Sequence, residues 1–489
     1  MSATSLPARE NRALLTEDVL ALILGLAVFA LAIASTAGVD LLGWVVATSV
    51  WTDAGKALAP LSKAYAALGG LGALVSTYVA LLAALSAGAW ALGADVRRFA
   101  LAFTIVFFIA YGSWILGSWA NFAVVTPADA AKFGVSWSLK LTNEGGFIIA
   151  LIAGLVIANF FPRFADWLKE AIRPELYIKI AIVILGAFIA VTAASKLNLA
   201  SSLLLRGVAA IIEAYLIYWA VVYFVARKWF GFKREWAVPL ASGISICGVA
   251  AAIATGGAIR ARPQVPILVS SLVVIFAVVE VLILPFFAQT FLSHEPLVAA
   301  AWMGLAVKTD GAAVAAGGIT ESLILAKAAA EGIKYQPGWI LGVTATVKVF
   351  IDVFIGVWAF ILAYIWTNHI NPQANGERAS AGEIWQRFPK FILGFVITFA
   401  VGLALALGAS AGANGKLAAA VSEANAFRVI FFILTFFSIG VLSNFRKLWE
   451  DGLGKLAAVY VVTLFGFVIW FGLFISWIFF AGVKPPLAG

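Results

Sequence analysis

Long apolar runs without charged residues constrain this fold more than any other feature. Runs of eighteen or more such residues recur along the chain, and each is long enough as a helix to cross a hydrocarbon core of about 30 Å. Hydrophobic residues make up 63% of the chain and charged residues 12%, whereas soluble proteins average about 25% charged. The sequence therefore predicts an all-α polytopic membrane protein that lies in a lipid bilayer.

About thirteen transmembrane helices are expected from these runs. They lie near 18–37, 66–92, 99–119, 147–161, 177–194, 203–226, 236–258, 264–288, 296–318, 338–366, 389–410, 427–446 and 456–481. We divide the chain into a three-helix extension with its connector (1–144), a first five-helix repeat (145–290) and a second (291–489). Segment 120–146 is expected to be an interfacial connector and 371–386 an exposed linker. The span at 147–161 is expected to extend back through Asn143 and Glu144.

Basic residues cluster in loops that fall on one side of this arrangement. These are Arg9 and Arg12, Arg97 and Arg98, and the stretches 163–173, 227–234, 378–390 and 446–455. Because positively charged loops stay in the cytoplasm, the N-terminus is predicted to be cytoplasmic in a multi-pass plasma-membrane protein. No cleavable signal is expected before Val19. The net charge of +9 has its explanation in these loops, and no nucleic-acid partner is expected.

Few residues are available for cofactor or metal chemistry. The chain has one cysteine and two histidines, which exclude an intrachain disulfide framework and a cysteine-based metal site. No nucleotide-binding loop and no nucleophile paired with a base is recognisable in the sequence. We therefore expect no enzyme activity, no metal and no cofactor.

Two spans are interrupted by small and polar residues. Segment 242–257 contains four glycines and three hydroxyl side chains besides Cys247, and each glycine weakens a helix interior by about 1 kcal/mol. A break near Ser245 would present N–H groups to a solute near the midplane. Tight packing through small residues is the alternative. The candidate substrate-binding residues here are Ser242, Gly243, Ser245, Cys247 and Gly248.

The second such segment is 436–444, with Ser438, Gly440, Ser443 and Asn444 as further binding candidates. Each segment lies in the fourth span of a five-span block. Because five is odd, the second block would enter the membrane in the opposite orientation. This pattern predicts a 5+5 inverted repeat with two crossing interrupted helices.

Charged residues inside spans each cost at least about 2.5–3.5 kcal/mol, so they need a reason. Lys308 and Asp310 are two residues apart, so either the helix breaks there or each has its own partner. Lys348 and Asp352 are at i, i+4 and can pair on one helix face. The two lysines are expected to line a polar cavity for an anion; the alternative is that the pairs neutralise each other and join two helices.

Two glutamates complete the set of buried charges. Glu280 lies deep in the span 264–288. Glu213 follows Arg206 on one helix face and is either part of a structural ion pair or a proton-coupling carboxylate. Arg206 is expected to extend to the interface. Asp310, Glu280, Glu213 and Asp352 are the candidate ion-coupling residues.

Several of these residues resemble one family. Ser245-Ile246-Cys247-Gly248 and the small residues up to Thr255 are similar to the Ser-Ile-Cys-Gly segment of the YeiH-type sulfate exporter family, a name that rests on a proposed activity. Weaker matches are Gly304, Val307, Val314 to Gly317, Lys348, Gly440 and Asn444 to Leu448. The resemblance covers roughly 145–482, and the first three spans look like an extension.

The chain departs from that family within the expected cavity. Lys308-Thr309 stands where the family commonly has His-Glu, Gly256-Gly257 where it has Glu-Pro, and Ile351 where it has Arg. The resemblance implies the fold of sodium/proton antiporters and bile-acid transporters. In that fold 236–258 and 427–446 would cross, with Lys308 and Lys348 on a panel that faces a mobile core. Panels of this type often dimerise, so a homodimer is expected.

Three functions remain open from the sequence. The first is a secondary transporter of a small anion, of the sulfate or organic sulfonate class, coupled to H⁺ or Na⁺ and working by alternating access. The second is a sodium or proton antiporter on the same fold. The third is a non-transporting membrane assembly subunit. Because the two interrupted segments lack Asp and Glu, the anion transporter is favoured.

Overall fold

The computed structural model describes residues 15–124, 127–139, 145–194, 197–262, 264–370, 389–408, 411–444 and 454–488. Helices dominate these residues, and the described strands form one small hairpin. The predicted linker at 371–386 lies outside the described residues, as do Asn143 and Glu144.

The N-terminal region contains three long helices and the hairpin. The elements are α1 (Glu17–Ser35), β1 (Val46–Thr48), β2 (Leu58–Pro60), α2 (Gly69–Ala91) and α3 (Val96–Gly117). The hydroxyl of Thr16 accepts the Val19 N–H at the start of α1, and Asp95 does the same for Arg98 at the start of α3. These caps satisfy N–H groups that a helix start leaves without an acceptor. The strands pair antiparallel, with Ala47 opposite Ala59.

The remaining helices run from the connector to the C-terminus. The first group is α4 (Ala120–Ala123), α5 (Pro127–Phe133), α6 (Gly145–Phe160), α7 (Pro162–Leu168), α8 (Pro174–Ala194), α9 (Leu197–Ile212), α10 (Trp219–Phe224), α11 (Arg234–Ser245), α12 (Gly248–Ala258) and α13 (Gln264–Phe291). The second is α14 (Pro296–Ala306), α15 (Asp310–Ala330), α16 (Trp339–Val353), α17 (Ile355–Ile365), α18 (Phe391–Gly408), α19 (Ala411–Leu442), α20 (Gly454–Thr463) and α21 (Ile469–Phe480). Wider π-helical turns at Glu213–Tyr218, Val225–Trp229, Trp366–Ile370 and Leu464–Val468 extend or join several of them.

The described helices confirm an all-α polytopic membrane protein. Eleven are long and apolar enough to cross a membrane, or twelve if the bent pair Gly145–Phe160 and Pro162–Ala171 is one span. About thirteen were predicted. When the bent pair is counted as a span, one predicted span is still missing. This is 236–258, which α11 and α12 occupy together, and each of these two helices is too short to cross the membrane alone. Large apolar side chains such as Leu71, Phe160 and Leu205 are exposed on the outside, as lipid-facing residues are.

Two helix breaks lie in the interior of the described bundle, and the sequence analysis considered a break at both places. The first is α11–α12, which stops at Ser245 and resumes at Gly248. The second is α14–α15, which stops at Ala306 and resumes at Asp310. One helix, α13, separates the two along the chain. The break at Lys308, one of the two alternatives considered above, is therefore the one that the chain adopts.

The interruption predicted at 436–444 is not formed in its first part. Helix α19 runs without a break from Ala411 to Leu442, Ser443 and Asn444 follow its end, and residues 445 and 446 of the predicted span lie outside the described residues. The small residues of α19 allow close packing instead. A Cβ at Gly440 would lie 2.3 Å from the Leu151 carbonyl oxygen, and one at Gly154 would lie 2.3 Å from the Phe437 carbonyl oxygen. Small residues let helices approach in this way within a membrane.

Helix α8 is the centre of the bundle. It is buried over most of its length and is contacted by α1, α18 and α19. The Thr398 hydroxyl of α18 donates to the Val183 carbonyl at 2.7 Å. At its N-terminal end, Arg173 and Lys179 pair with Glu17 and Asp18 of α1. The N-terminal helix is thus packed into the core and is not a detached extension.

Candidate functional site

The first break exposes the backbone of two residues between α11 and α12. Ile246 ends α11 with φ −110° and ψ −89°, and Cys247 precedes α12 in an extended conformation. Both are buried. Neighbouring glycines permit close packing here, since a Cβ at Gly248 would lie 2.2 Å from the Val273 side chain. The sequence prediction of a break after Ser245 is confirmed.

The second break lies directly against the first. Val307 and Thr309 are extended, and the Thr309 hydroxyl caps α15 by accepting the Ala312 N–H. The Gly248 N–H donates to the Lys308 carbonyl oxygen at 2.6 Å. Two helix starts, at Gly248 and Asp310, and two helix ends, at Ser245 and Ala306, therefore meet in the interior. Each start carries a partial positive charge and each end a partial negative charge.

Lys348 bridges the two breaks. Its ammonium donates to the Ile246 carbonyl at 2.7 Å and lies 3.5 Å from the Lys308 carbonyl. The side chain is 2% exposed and extends from the middle of α16. Backbone carbonyls that lose their helical partners need donors when they are buried. Lys348 supplies one donor to both broken segments.

Lys308 binds the C-terminal end of α14, where the helix carries a partial negative charge. Its ammonium donates to the Leu305 carbonyl at the end of α14 and lies 4.6 Å from the centre of the Tyr218 ring. Its backbone N–H donates to Glu280 Oε2 at 3.0 Å, and the Tyr460 hydroxyl donates to Glu280 Oε1 at 3.2 Å. One carboxylate oxygen of Glu280 therefore holds the extended segment of the second break, and the other binds Tyr460 of α20.

Two aspartates and the cysteine form a buried cluster beside Lys348. One ligand atom each from Cys247, Asp310 and Asp352 lies within 4.8 Å of the others. Asp310 Oδ1 is 3.9 Å from the Lys348 ammonium, and neither Asp310 Oδ1 nor Asp352 Oδ1 has a hydrogen-bond partner. Two negative charges this close in a buried place repel each other, so a proton or cation is needed to balance them. Sequence spacing paired Lys348 with Asp352, whereas the ion contact that the geometry resolves is with Asp310.

Glu213 lies in a different part of the bundle. It begins a π-helical turn, is 1% exposed, and neither of its carboxylate oxygens has a hydrogen-bond partner. The charged side chain that interacts with Glu213 is Lys308. Arg206 donates to the Phe479 carbonyl near the end of α21, so it does not supply the structural ion pair that was one of the two alternatives for Glu213. π-turns of this kind occur often at functional sites.

A small pocket opens under the first turn of α15. It has about 270 Å³ of empty space and is lined by Pro174, Glu175, Ile178, Val274, Thr309, Gly311, Thr435 and Ile439. The pocket therefore joins α8, α13, α15 and α19 next to the second break. Sequence analysis missed Glu175, Thr309 and Thr435. Glu175 lies just before the predicted span 177–194, and the lining residues Thr435 and Ile439 of α19 lie on either side of the predicted Ser438.

A second pocket has a different character. It has about 500 Å³ of empty space between α8, α9, α16 and α18, and its lining includes Ile189, Leu203, Trp339, Val343 and Phe399. Its lining has no charged side chain among the residues that the structure describes. This apolar lining suits a lipid tail.

Several predicted binding residues have structural roles instead. Ser242 donates to the Val238 carbonyl and accepts from the Trp219 indole. Ser443 donates to Ile439 at 2.7 Å, and Asn444 donates to the Ala158 carbonyl of α6 at 2.9 Å. Of these contacts, the one made by Asn444 joins the end of α19 to α6.

Gly243 and Gly440 serve packing. A Cβ at Gly243 would lie 3.2 Å from the Gly248 carbonyl, so its small size keeps the two halves of the first broken helix together. Two predicted hydroxyls, Ser245 and Ser438, are buried and have no hydrogen-bond partner. They are the serine candidates whose hydrogen-bonding capacity is still available.

Comparison with known proteins assigns the family. The family model described as Conserved hypothetical protein 698 matches residues 128–460. A UPF0324 membrane protein of Nitrosomonas europaea is 40% identical over 480 residues, which cover 96% of this chain and 97% of the relative. The chain belongs to the UPF0324 family. The resemblance to the YeiH-type family, drawn above from the Ser-Ile-Cys-Gly segment, is thereby confirmed.

Other UPF0324 proteins align over less of their length. One from Rhodopirellula baltica is 30% identical over 362 residues, covering 73% of this chain and 58% of the relative. One from Nitratidesulfovibrio vulgaris is 28% identical over 377 residues, which cover 73% of this chain and 55% of the relative. No solved structure matches the chain. The alignment with the Nitrosomonas relative covers nearly the whole chain. It therefore includes the N-terminal helices, which the two proteins share.

Proposed function

We propose that this protein is a secondary active transporter in the plasma membrane, with its solute site at the meeting point of the two helix breaks. The observation that carries the proposal is the bridge from Lys348 to the carbonyls of Ile246 and Lys308. A helix that only anchors a protein has no need for a broken backbone held by a buried charge. Broken spans that meet near the middle of a bundle are the usual site of ion and solute binding in transporters.

A small anion of the sulfate or sulfonate class is the proposed solute. Two helix starts, at Gly248 and Asp310, meet in the same region, and each carries a partial positive charge. Lys308 and Lys348 add positive charge, and Ser245 and Ser438 have unused hydroxyls. The carboxylates of Asp310 and Asp352 would take up H⁺ or Na⁺ as the anion binds, because an added negative charge raises the cost of leaving them ionised.

Alternating access would come from movement of the broken helices relative to α8 and its neighbours. An inverted repeat stays part of this proposal, although the second break lies in the first span of the second block and not in the fourth. A homodimer and a cytoplasmic N-terminus also stay predictions. A transporter of this kind needs no cofactor.

A sodium or proton antiporter is the second candidate. It is favoured by one observation, namely that Asp310 Oδ1 and Asp352 Oδ1 are buried without a hydrogen-bond partner beside Cys247. Carboxylate oxygens are suitable ligands for Na⁺ and suitable acceptors for H⁺. In this case the lysines would neutralise helix ends, as their present contacts with carbonyls indicate, and no anion would bind.

A thermal-shift screen of the purified protein separates these functions. The additions are sulfate, sulfite, thiosulfate, taurine, simple carboxylates, sodium and lithium, each at two pH values. A ligand at 100 times its dissociation constant stabilises a protein by about 2.7 kcal/mol. The proposal predicts stabilisation by a sulfur oxyanion or sulfonate, lost in Lys348→Met and retained in Lys327→Met, whose lysine bonds the Gln289 carbonyl outside the site.

Two other outcomes of the thermal-shift screen would favour a different function. Stabilisation by sodium or lithium alone, lost in Asp352→Asn, would replace the anion transporter with the antiporter. Stabilisation by none of these solutes, together with stoichiometric co-purification of another subunit, would contradict transport and support an assembly role.

A further inference from the structure

The pocket under α15 brings Glu175 close to the second break. Glu175 contributes to its wall from the first turn of α8, and Thr309 and Gly311 contribute from the second break. Asp310 belongs to the same break and interacts electrostatically with Glu175. Thr309 and Gly311, the residues on either side of Asp310, therefore share a pocket wall with Glu175.

The Glu175 carboxylate lies at the boundary between this pocket and the outside. The side chain is 22% exposed, yet its Oε2 atom is buried and has no hydrogen-bond partner. One end of a single carboxylate is therefore within reach of water while the other is enclosed. A group in this position can take a proton from one side and release it to the other.

The N-terminal helix controls the charge beside Glu175. Lys179 lies 2.7 Å from Asp18 of α1 but 3.5 Å from Glu175 Oε2. The ammonium therefore donates to α1 and makes only a longer contact with the pocket carboxylate. A second ion pair, between Arg173 and Glu17 at 2.8 Å, holds α1 in place at the same end of α8. The first helix thus keeps Lys179 from forming a short pair with Glu175.

Charged groups act on Glu175 from its own helix, from α1 and from α15. The charged groups that act on it are Lys179 on its own helix, Glu17 and Asp18 on α1, and Asp310 on α15. Helices α13 and α19 contribute Val274, Thr435 and Ile439 to the pocket. The carboxylate therefore has charged neighbours on its solvent side and at the second break, with an uncharged pocket wall between them.

We propose that Glu175 is the proton entry site of the transporter and that Asp18 of the N-terminal helix is a positioning residue for it. A proton from bulk water binds Glu175, crosses the pocket by way of water, and reaches Asp310 and Asp352; in the return direction the same proton leaves by the same groups. No other bond forms or breaks. The inference rests on the proposed function, and it assigns a role to α1 within the transport cycle.

Proton movement in reconstituted vesicles tests this directly. Vesicles with a trapped pH-sensitive dye receive a gradient of sulfate, of taurine or of sodium. Glu175→Gln is expected to slow the proton movement that wild type shows by about tenfold or more, while the thermal shift produced by the same solute is unchanged. Asp18→Asn is expected to slow it by a smaller factor, because Lys179 is then free to pair with Glu175. Asp166→Asn, which removes an exposed carboxylate next to Lys169, serves as the matched control and is expected to behave as wild type.

Two further variants make the outcome unambiguous. If Glu175→Gln does not fold, Glu175→Asp keeps the charge on a shorter side chain and is expected to be slow but still pH-responsive. Proton movement at the wild-type rate in Glu175→Gln, with Asp352→Asn inactive, would overturn this inference and leave the proposed function standing. Coupled proton movement that survives in Asp352→Asn would overturn the coupling role given to the aspartates in the proposed function. Wild-type protein that moves no protons with any of the three gradients would overturn this inference and leave sodium as the coupling ion.

Discussion

Replacing Lys348 by methionine is the perturbation with the largest expected effect on this fold. The substitution keeps the length of the side chain but removes the ammonium. The bond to the Ile246 carbonyl at 2.7 Å is lost, as is the contact with Asp310 Oδ1 at 3.9 Å. A hydrogen bond from a charged group contributes about 1.5–3 kcal/mol. Removing one member of a buried charge pair costs about 3–5 kcal/mol, because the other charge is left without compensation.

We therefore expect Lys348→Met to lower the free energy of unfolding by about 3–5 kcal/mol, equivalent to a hundredfold or greater loss in the ratio of folded to unfolded protein. The assay is unfolding in mixed micelles with increasing sodium dodecyl sulfate, read by tryptophan fluorescence. Lys327→Met on α15 is the control for loss of a lysine. The double variant with Asp310→Asn should recover part of the loss, since it removes the uncompensated carboxylate. A loss below about 1 kcal/mol, with no coupling between the two substitutions, would refute the bridging role of Lys348.

Three more predictions follow from contacts in the bundle. Gly440→Ala should strongly destabilise the protein, because the new Cβ would lie 2.3 Å from the Leu151 carbonyl oxygen; an unfolding midpoint equal to wild type would contradict the packing. Glu280→Gln should stay close to wild type in stability, whereas Glu280→Ala should lose about 1–3 kcal/mol because the Lys308 N–H loses its buried acceptor; equal effects would show that charge, and not hydrogen bonding, matters there. Glu213→Gln should not lower the melting temperature, since the carboxylate has no hydrogen-bond partner to lose; a large drop would reveal a partner for Glu213.

Spans and the first break were predictable from sequence because they rest on local composition. Apolar length alone defines a span, and the cluster of glycine and hydroxyl residues around Ser245 and Cys247 predicts where a helix weakens. The same local argument failed for α19. Gly440 lies within the continuous helix, because a glycine that contacts the backbone of a neighbouring helix cannot be told in sequence from a glycine that breaks a helix.

The second break carried a signal of another kind. Lys308 and Asp310 are too close in sequence to share a helix face, and this made a break one of two alternatives. Their actual partners, Leu305 and Glu280 for Lys308 and Lys348 for Asp310, depend on how α13, α14 and α16 pack. Glu175 gave no signal because its pocket is formed by four helices that are distant in sequence. Contacts of this kind follow from tertiary packing, which local patterns do not encode.

Chemical modification of Cys247 tests the central claim most directly, because this residue is the single cysteine of the chain and lies at the first break. The measurement is transport by reconstituted protein before and after treatment with a small thiol reagent. If the breaks are the transport site, the reagent should inactivate working protein, the stabilising solute should slow the inactivation, and Cys247→Ala should transport and resist the reagent. Full transport after complete modification of Cys247, or a Cys247 that never reacts during turnover, would contradict the claim.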